Sequence, residues 1–254
     1  MTFWECIAVL LAGVGAGTIN AVVGSGTLIT FPALLAFGIP TVTANVSNTI
    51  GLVPGSLSAA LGFRRELAGQ RARLLRTGGA ALLGGLLGAV LLVKLPSKAF
   101  DAIVPVLILV ALVLVLIQPR VARAMAARRA ANGGGTRDGG PLLLVGLFLS
   151  AIYGGYFGAA QGVLMIAIMG ILLDETMLRI NATKNVLALL VNGVAALFFL
   201  FTSTVDWTAV ALIAVGSVIG GQLGAKIGRR LPPAALRGII VLVGLAAVAH
   251  LLTS

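Results

Sequence analysis

Long apolar runs recur along nearly the whole chain, separated by short polar or basic stretches. Most of these runs reach the roughly 20 residues that a helix needs to cross a bilayer. Because they follow one another so closely, no stretch is left for a soluble catalytic domain. The pattern predicts an all-α polytopic membrane protein with about eight to ten membrane segments. The predicted segments are 5–22, 26–38, 41–62, 74–93, 99–117, 142–159, 162–173, 179–201, 207–225 and 234–252.

Two of these segments, 26–38 and 162–173, are too short to cross a membrane. At about 1.5 Å per residue they cover roughly 18–20 Å, against a hydrocarbon core of about 30 Å. Each follows a glycine-containing polar stretch, at 24–27 or at 158–162. A short helix entered through such a break is typical of a discontinuous or re-entrant element, which is tolerated only where it faces protein or a wet cavity. The sequence leaves open whether these segments cross fully or re-enter.

The chain divides into two related halves. An N-terminal transmembrane repeat, 1–117, is joined by a basic linker, 118–141, to a C-terminal transmembrane repeat, 142–254. Residues 26–96 align without a gap with residues 162–232, and this alignment places the glycine-rich run 84–89 on 220–225. The same register places the Leu-Pro pair 95–96 on 231–232. We interpret this correspondence as an internal duplication.

The positions of the basic loops predict that the two repeats are inverted. The loop after the third segment of the first half is rich in arginine, and so is the linker, which places both in the cytoplasm. In the second half the corresponding loop, 202–206, carries no positive charge, and the basic residues lie one loop later. Both chain termini are then expected outside. Inverted repeats of about five segments each, with broken helices, are typical of transporters.

Composition and charge narrow the function further. The chain is 59% hydrophobic and only 10% charged, whereas a soluble domain is about one quarter charged. The net charge is +11, but the basic residues lie in loops between apolar segments, so we expect the bilayer as partner and no nucleic acid. One Cys and one His argue against a disulfide framework or a metal centre, and no cofactor is expected. The oligomeric state is open, with a homo-oligomer among the alternatives.

The motifs of pumps and intramembrane enzymes are missing from this sequence. It contains no phosphate-binding loop of the Walker type, which argues against a primary pump. Ser25 lies between glycines, but the single histidine, His250, lies near the end of the last segment and acidic residues are absent from the apolar segments around Ser25. The protein is therefore not expected to be an enzyme. A passive anion channel remains as the alternative to a carrier, and an intramembrane enzyme remains as the less favoured alternative.

The candidate ligands are polar groups that could hold an anion within the membrane. An oxyanion in a low-dielectric cavity needs N–H groups, hydroxyls, amides or a cation. The two helix starts after the breaks offer free N–H groups. Asn45 and Asn48, and their repeat mates Asn181 and Lys184, lie three residues apart on one helical face. The predicted substrate-binding residues are Ser25, Gly26, Thr27, Asn45, Asn48, Gln161, Gly162, Asn181 and Lys184.

Lys184 is the only cation that the pattern places inside the bundle, so it is the leading anion ligand. The alternative is that its side chain extends to the lipid headgroups at the cytoplasmic end. Asn20 and Asn192 lie in apolar stretches, where they either line a pathway or form interhelical hydrogen bonds. The glycines at 84–88 and 220–224 are interpreted as close-packing positions between helices.

Two stretches carry a family resemblance. Residues 17–28, Gly-Thr-Ile-Asn-Ala-Val-Val-Gly-Ser-Gly-Thr-Leu, followed by Phe-Pro-Ala-Leu-Leu at 31–35, resemble the first glycine-rich signature of the sulfite exporter TauE/SafE family. Asp206-Trp207, ahead of the glycine run at 220–225 and the turn at 230–232, is similar to its second half. The resemblance implies a multi-pass permease of the bacterial inner (plasma) membrane for sulfite or an organosulfur/sulfonate anion. We expect alternating access around a midplane site at the repeat interface.

The predicted topology can be tested by labelling single cysteines with a membrane-impermeant thiol reagent in intact cells. In a Cys6→Ala background, Gly134→Cys should be protected because the basic linker stays in the cytoplasm, whereas Thr2→Cys and Ser254→Cys should be labelled. Labelling of Gly134→Cys from outside, or protection of both termini, would contradict the arrangement.

Overall fold

The computed structural model describes residues 1–132, 139–227 and 233–253, and throughout these ranges the regular secondary structure is essentially helical. The prediction of an all-α polytopic membrane protein is confirmed. The helices are α1 Phe3–Val22, α2 Thr27–Ala36, α3 Thr41–Gly62, α4 Arg71–Lys94, α5 Ser97–Asn132, α6 Gly140–Tyr156, α7 Gln161–Leu172, α8 Met177–Thr202, α9 Trp207–Ile227 and α10 Pro233–Thr253.

Length and composition separate the helices into two groups. Within the described ranges, five spans are long and apolar enough to cross a membrane: Phe3–Val22, Arg71–Lys94, Ser97–Ala124, Met177–Thr202 and Trp207–Lys226. The short apolar helices include α2, with 10 residues, and α7, with 12 residues. These two match the short segments predicted from the sequence, so each half contains a helix that is too short to span the bilayer.

The breaks ahead of α2 and α7 are built by residues in the left-handed region of backbone space. Gly24 has φ +90°, Gly158 has φ +81°, and Ala160 has φ +58°. Glycine adopts this conformation without the steric cost that a Cβ imposes, which is why both breaks contain it. Ala160 is the only non-glycine residue with positive φ among the described residues. The chain thereby leaves α1 and α6 and turns into the short helices that pack against them.

The end of α5 differs from the prediction. The basic segment from 118 onward was expected to be a linker, but α5 continues through Pro119 to Asn132. Residues 120–131 consist mostly of alanine and arginine, which are strong helix formers, and they continue the helix despite the proline. The remaining part of the predicted linker, 133–138, lies outside the described residues.

Most helix contacts join one half of the chain to the other. α1 packs on α9 as α6 packs on α4, and α3 packs on α9 as α8 packs on α4. If each helix of the first half is exchanged for the corresponding helix of the second half, the α1–α9 pair becomes α6–α4 and the α3–α9 pair becomes α8–α4. The α3–α8 and α5–α10 pairs remain the same pairs under this exchange. This pairing supports the internal duplication. The inversion of the halves relative to the membrane stays a prediction.

Glycines allow these helices to approach closely. A Cβ added at Gly88 of α4 would lie 2.1 Å from the carbonyl oxygen of Ile152 on α6. One added at Gly220 of α9 would lie 2.1 Å from the carbonyl oxygen of Val14 on α1. Gly88 and Gly220 belong to the two repeat-related glycine runs, 84–88 and 220–224, and they occupy equivalent interfaces, α4 on α6 and α9 on α1. Their interpretation as close-packing positions is confirmed, and it explains why small residues rather than leucines hold the halves together.

We expect the substitution Gly88→Ala to lower the free energy of unfolding by about 1–3 kcal/mol, because the added methyl group forces α4 and α6 apart. Gly79→Ala is the matched control on the same helix, since Gly79 has no atom within 4 Å of an added Cβ. The control should change stability by less than about 0.5 kcal/mol. Unfolding in mixed micelles with increasing dodecyl sulfate measures both, and equal losses would contradict the packing role.

Candidate functional site

The two backbone breaks touch at the centre of the molecule. The N–H of Gly162 donates a hydrogen bond to the carbonyl oxygen of Gly24 at 3.1 Å. A Cβ added at Gly24 would lie 2.5 Å from the α-carbon of Gly162, and a Cβ added at Gly162 would lie equally close to that of Gly24. Only glycine fits at either position. The two stretches that the sequence singled out separately are thus in direct backbone contact.

Two repeat-related asparagines hold the helices that lead into these breaks. Nδ2 of Asn181 on α8 donates to the carbonyl oxygen of Ala21, 3.0 Å away in the last turn of α1. Nδ2 of Asn45 on α3 donates to the carbonyl oxygen of Tyr156, 2.9 Å away at the end of α6. Carbonyls in a last turn lack helical donors, so each asparagine caps the first helix of the opposite half. Oδ1 of both asparagines is buried without a hydrogen-bond partner.

Lys184 lies on α8, one turn beyond Asn181, and is 0% exposed. Its Nζ donates to the carbonyl oxygen of Asn20 at 2.6 Å and is 3.5 Å from that of Ala21. Its methylene chain runs beside Gly162, where an added Cβ would lie 2.9 Å from the lysine Cδ. The ammonium group is therefore directed to the end of α1, not outward along the helix. This geometry argues against the headgroup alternative.

Two ion pairs among the described residues lie away from Lys184. Glu175, just before α8, accepts from Arg73 of α4 at 2.9 Å and from Nε of Arg179 at 2.7 Å. Burial opposes ionisation of Glu175, but the hydrogen bonds and positive charges of the two arginines outweigh it and hold the pKa of this carboxyl below its ordinary value. These ion pairs join the two halves near the start of α8. Because Glu175 is bound by the two arginines, it does not pair with Lys184, which has no carboxylate partner among the described residues.

A small cavity adjoins Lys184. Its volume of about 20 Å³ has room for one water molecule. Gly24, Gly162 and Lys184 form part of its wall, together with side chains from α1, α2, α3, α7 and α8. The neutral polar residues of the wall are Asn20, Thr27, Ser56, Gln161, Asn185 and Asn192.

The structure brings four of the predicted site residues to this cavity: Thr27, Gln161, Gly162 and Lys184. The others lie nearby with different contacts. Asn48 donates to the hydroxyl oxygen of Thr27 at 3.3 Å and accepts from the hydroxyl of Thr30. Ser25 is completely buried, and its hydroxyl has no hydrogen-bond partner.

The expectation that the helix-start N–H groups are free is wrong for three of them. The N–H of Gln161 donates to the carbonyl oxygen of Gly158 at 3.4 Å. The N–H of Gly26 donates to Oδ1 of Asn20 at 2.9 Å, and the N–H of Gly162 is taken by Gly24. Gly26 also lies against α1, where an added Cβ would be 2.3 Å from the carbonyl oxygen of Ala16. Sequence showed that these donors needed a partner, but it could not show that the protein itself supplies one.

Several residues of the cavity wall were not among the predicted substrate-binding residues. Asn20 connects both parts of the site, because its side chain binds the start of α2 and its carbonyl oxygen binds Lys184. A lone asparagine in an apolar run was the available signal for Asn20 and Asn192. Asn185 follows Lys184 directly and donates to the carbonyl oxygen of Ala21 at 3.3 Å. Ser56 carried no signal beyond its place two turns after Asn48.

A larger groove opens at the end of the molecule where α5 runs toward the linker. It has a volume of about 320 Å³ and lies between α5, α7 and α8. Its wall is mainly apolar, with Leu114, Val163, Leu164 and Leu178 among its members, and Asn181 contributes to it. Asn181 thus lies between the groove and the buried end of α1.

The positions that the repeat relates to the groove are buried at the other end of the molecule, where no corresponding opening is formed among the described residues. The alignment pairs Leu164 and Ala167 of the groove with Leu28 and Phe31, which are both 1% exposed. Phe31 begins a group that we call the aromatic cluster, which lies roughly 20 Å along α5 from the groove. Its rings meet edge-on, with centroid distances of 5.3 Å for Phe31–Phe157, 6.2 Å for Phe157–Phe100 and 5.5 Å for Phe100–Tyr156. The cluster comprises Phe31, Phe100, Tyr156 and Phe157.

Comparison with known proteins gives one family and several relatives. The family model described as Sulfite exporter TauE/SafE matches residues 9–251. A probable membrane transporter protein of Haemophilus influenzae is 29% identical over 226 residues, covering 87% of this chain and 85% of the relative. The probable membrane transporter protein YfcA of Escherichia coli K12 is 26% identical over 241 residues, covering 93% and 86%. The probable membrane transporter protein ORF9 of a Sinorhizobium species is 27% identical, covering 93% and 88%. No solved structure matches the chain.

The difference between groove and aromatic cluster predicts unequal access. In a Cys6→Ala background, Leu164→Cys should react with a hydrophilic maleimide applied from the linker side, whereas its repeat mate Leu28→Cys should not react from either side. Adding Phe31→Ala should make Leu28→Cys reactive, because removal of the ring opens the packing around it.

Labelling in right-side-out and inside-out vesicles, with Gly134→Cys as the marker of the linker side, measures this access. Equal reactivity of Leu164→Cys and Leu28→Cys without Phe31→Ala would contradict the assignment of an open and a closed end.

Proposed function

Because the chain belongs to the sulfite exporter TauE/SafE family, we propose that it is a permease for a small anion, either sulfite or an organosulfur or sulfonate anion. The coarser conclusion stands without the proposal: the chain is a multi-pass membrane protein of a transporter family. The bacterial inner (plasma) membrane is the proposed location, with the linker in the cytoplasm. The observation that carries the anion assignment is Lys184, a fully buried basic side chain at the contact between the two breaks.

A lone cation at this depth has a large unfavourable solvation free energy unless an opposite charge or strong acceptors compensate it. Two main-chain carbonyls of α1 supply part of that compensation. An anion in the adjoining cavity would supply the rest through a charge-assisted hydrogen bond, which contributes about 1.5–3 kcal/mol. The wall offers no competing negative charge, since its other described members are neutral.

The remaining predicted residues divide into donors and positioning groups in this proposal. Thr27 and Gln161 offer a hydroxyl and an amide at the cavity, and the unpartnered hydroxyl of Ser25 lies at the start of the same helix. Asn45 and Asn181 hold the ends of α6 and α1. Asn48 orients Thr27, while Gly26 and Gly162 permit the close contact of the breaks.

The volume of the cavity supports a carrier over a passive channel. About 20 Å³ accommodates a water molecule but not an oxyanion of sulfur, so the cavity must widen when substrate binds. The groove supports entry from the linker end, and the aromatic cluster supports closure at the other end. A cycle that closes the groove and separates the rings would move the anion by alternating access.

Lys184→Ala should weaken anion binding by about 1.5–3 kcal/mol, because it removes the charge-assisted contact. Lys226→Ala is the matched control, since Lys226 is exposed on α9 and should leave affinity unchanged. Thermal stabilisation of equal amounts of folded protein by sulfite, sulfate, thiosulfate and methanesulfonate ranks the affinities, because the shift grows with the logarithm of ligand over Kd.

Flux into proteoliposomes completes the test. A carrier should show saturation and counterflow of the anion that binds best, and a channel would show neither. Wild-type affinity in Lys184→Ala would remove Lys184 from the site, and absence of stabilisation by every anion of the set would contradict the anion assignment.

A further inference from the structure

We infer that Lys184 carries a proton together with the anion, so that the central cavity binds H⁺ and anion as a pair. This inference rests on the proposed function, and it assigns a coupling ion to that transport. Its basis is the set of partners around Nζ, the absence of negative charge in the cavity wall, and the depth at which the side chain is buried.

The Nζ atom of Lys184 has three substituent positions besides its carbon, and the two carbonyl partners account for two of them. A neutral amine has two N–H bonds and one lone pair, while an ammonium group has three N–H bonds. The carbonyl oxygens of Asn20 and Ala21 account for two N–H bonds, which either form can donate. The forms therefore differ only at the third position, and the cavity that Lys184 borders is the space that we assign to its partner. The proton that is added or lost is the one that would meet the anion.

Empty and occupied cavities favour different forms. Without an anion, the neutral amine satisfies both carbonyls and avoids burial of an unpaired charge. With an anion, the ammonium form gains the third hydrogen bond and the opposite charge. Anion and proton therefore bind with positive coupling, and each must increase the affinity for the other by the same factor.

No acidic group of the surrounding elements replaces the anion as the partner. α2, α3 and α7 contain no titratable residue. Glu175 lies nine positions before Lys184, roughly 13 Å along the chain direction of α8, and it is bound by Arg73 and Arg179. The titratable residues on the other elements packed around this site are Glu5, Cys6, Arg71, Arg73, Arg76, Lys94, Tyr153, Tyr156 and Arg179, with Asp174 and Glu175 before α8.

The charges balance through one cycle. Water on the open side supplies the proton to Nζ as the anion enters, and no covalent bond other than N–H forms or breaks. After the opposite side opens, the anion leaves and Nζ returns the proton to water there. For a monovalent anion the transported pair is neutral, and for a divalent anion one negative charge moves.

Calorimetric titration of the purified full chain tests the inference directly. Methanesulfonate and sulfate are the probes, because their charges do not change between about pH 6 and about pH 9. Titrations in buffers of different ionisation enthalpy should reveal uptake of about one proton per anion at the alkaline end, where affinity should fall about tenfold per pH unit. Zero proton uptake, with affinity independent of pH over this range, would overturn the inference.

Lys184→Arg is the matched variant, because arginine keeps its charge throughout this range. It should bind the probe without proton uptake and with pH-independent affinity. Proton uptake as large as that of wild type in this variant would also overturn the inference, since the proton would then bind elsewhere.

Proteoliposomes loaded with pyranine separate the two proposals. Anion influx accompanied by acidification of the lumen supports coupling at Lys184. Anion influx without acidification rejects the coupling but leaves the permease intact. If neither probe nor any other anion of the set binds, the proposed function fails and the coupling fails with it.

Discussion

The contact between Gly24 and Gly162 is the constraint on which the site depends. It brings the break after α1 in one half and the start of α7 in the other to backbone distance, with a hydrogen bond of 3.1 Å between them. The side chain of Lys184 passes beside Gly162 to reach the carbonyl of Asn20. A Cβ at either glycine would lie 2.5 Å from the α-carbon of the other, so a side chain there would push the breaks apart. At Gly162 it would also displace the lysine side chain, because the added Cβ would lie 2.9 Å from the lysine Cδ. Stability of the centre and the chemistry of the site are therefore set by the same two residues.

The carbonyls exposed where α1 and α6 end explain why the third helix of each half is polar. A helix end leaves acceptors without helical donors, and inside a membrane water does not replace them. Asn181 and Asn45 meet this need in the same way in the two halves. The position three residues later differs: Asn48 binds the hydroxyls of Thr27 and Thr30, whereas Lys184 binds α1 and introduces a charge. The duplication thus accounts for the scaffold, and one difference between the repeats accounts for the candidate anion site.

Sequence patterns were sufficient for the features that depend on local composition. Apolar runs located the helices, the short runs after glycine located α2 and α7, and the polar face of α8 located Lys184. They failed where distant residues decide the outcome. The N–H groups of Gly26 and Gly162 were predicted to be free, but packing supplies Oδ1 of Asn20 and the carbonyl oxygen of Gly24 as their acceptors. The cavity wall combines residues from five helices, so no window of sequence contains it. The length of α5 was missed for a different reason: the basic residues from 118 onward were interpreted as a linker, although the alanine-rich residues after Pro119 favour continuation of the helix.

The two ends of the bundle differ because Phe31 occupies the position that Ala167 occupies in the second repeat. The ring closes one end through edge-on contacts that continue to Phe157, Phe100 and Tyr156. Such ring pairs contribute about 0.5–1.5 kcal/mol each beyond their buried area, so separating the three pairs costs roughly 2–4 kcal/mol. The charge-assisted hydrogen bond that we propose between Lys184 and an anion would contribute about 1.5–3 kcal/mol, which is of the same size. A ligand shifts a conformational equilibrium only by its difference in affinity for the two states. If that contact strengthens when the rings separate, one anion supplies most of the free energy that the change requires, and the linker end remains the open end when the cavity is empty.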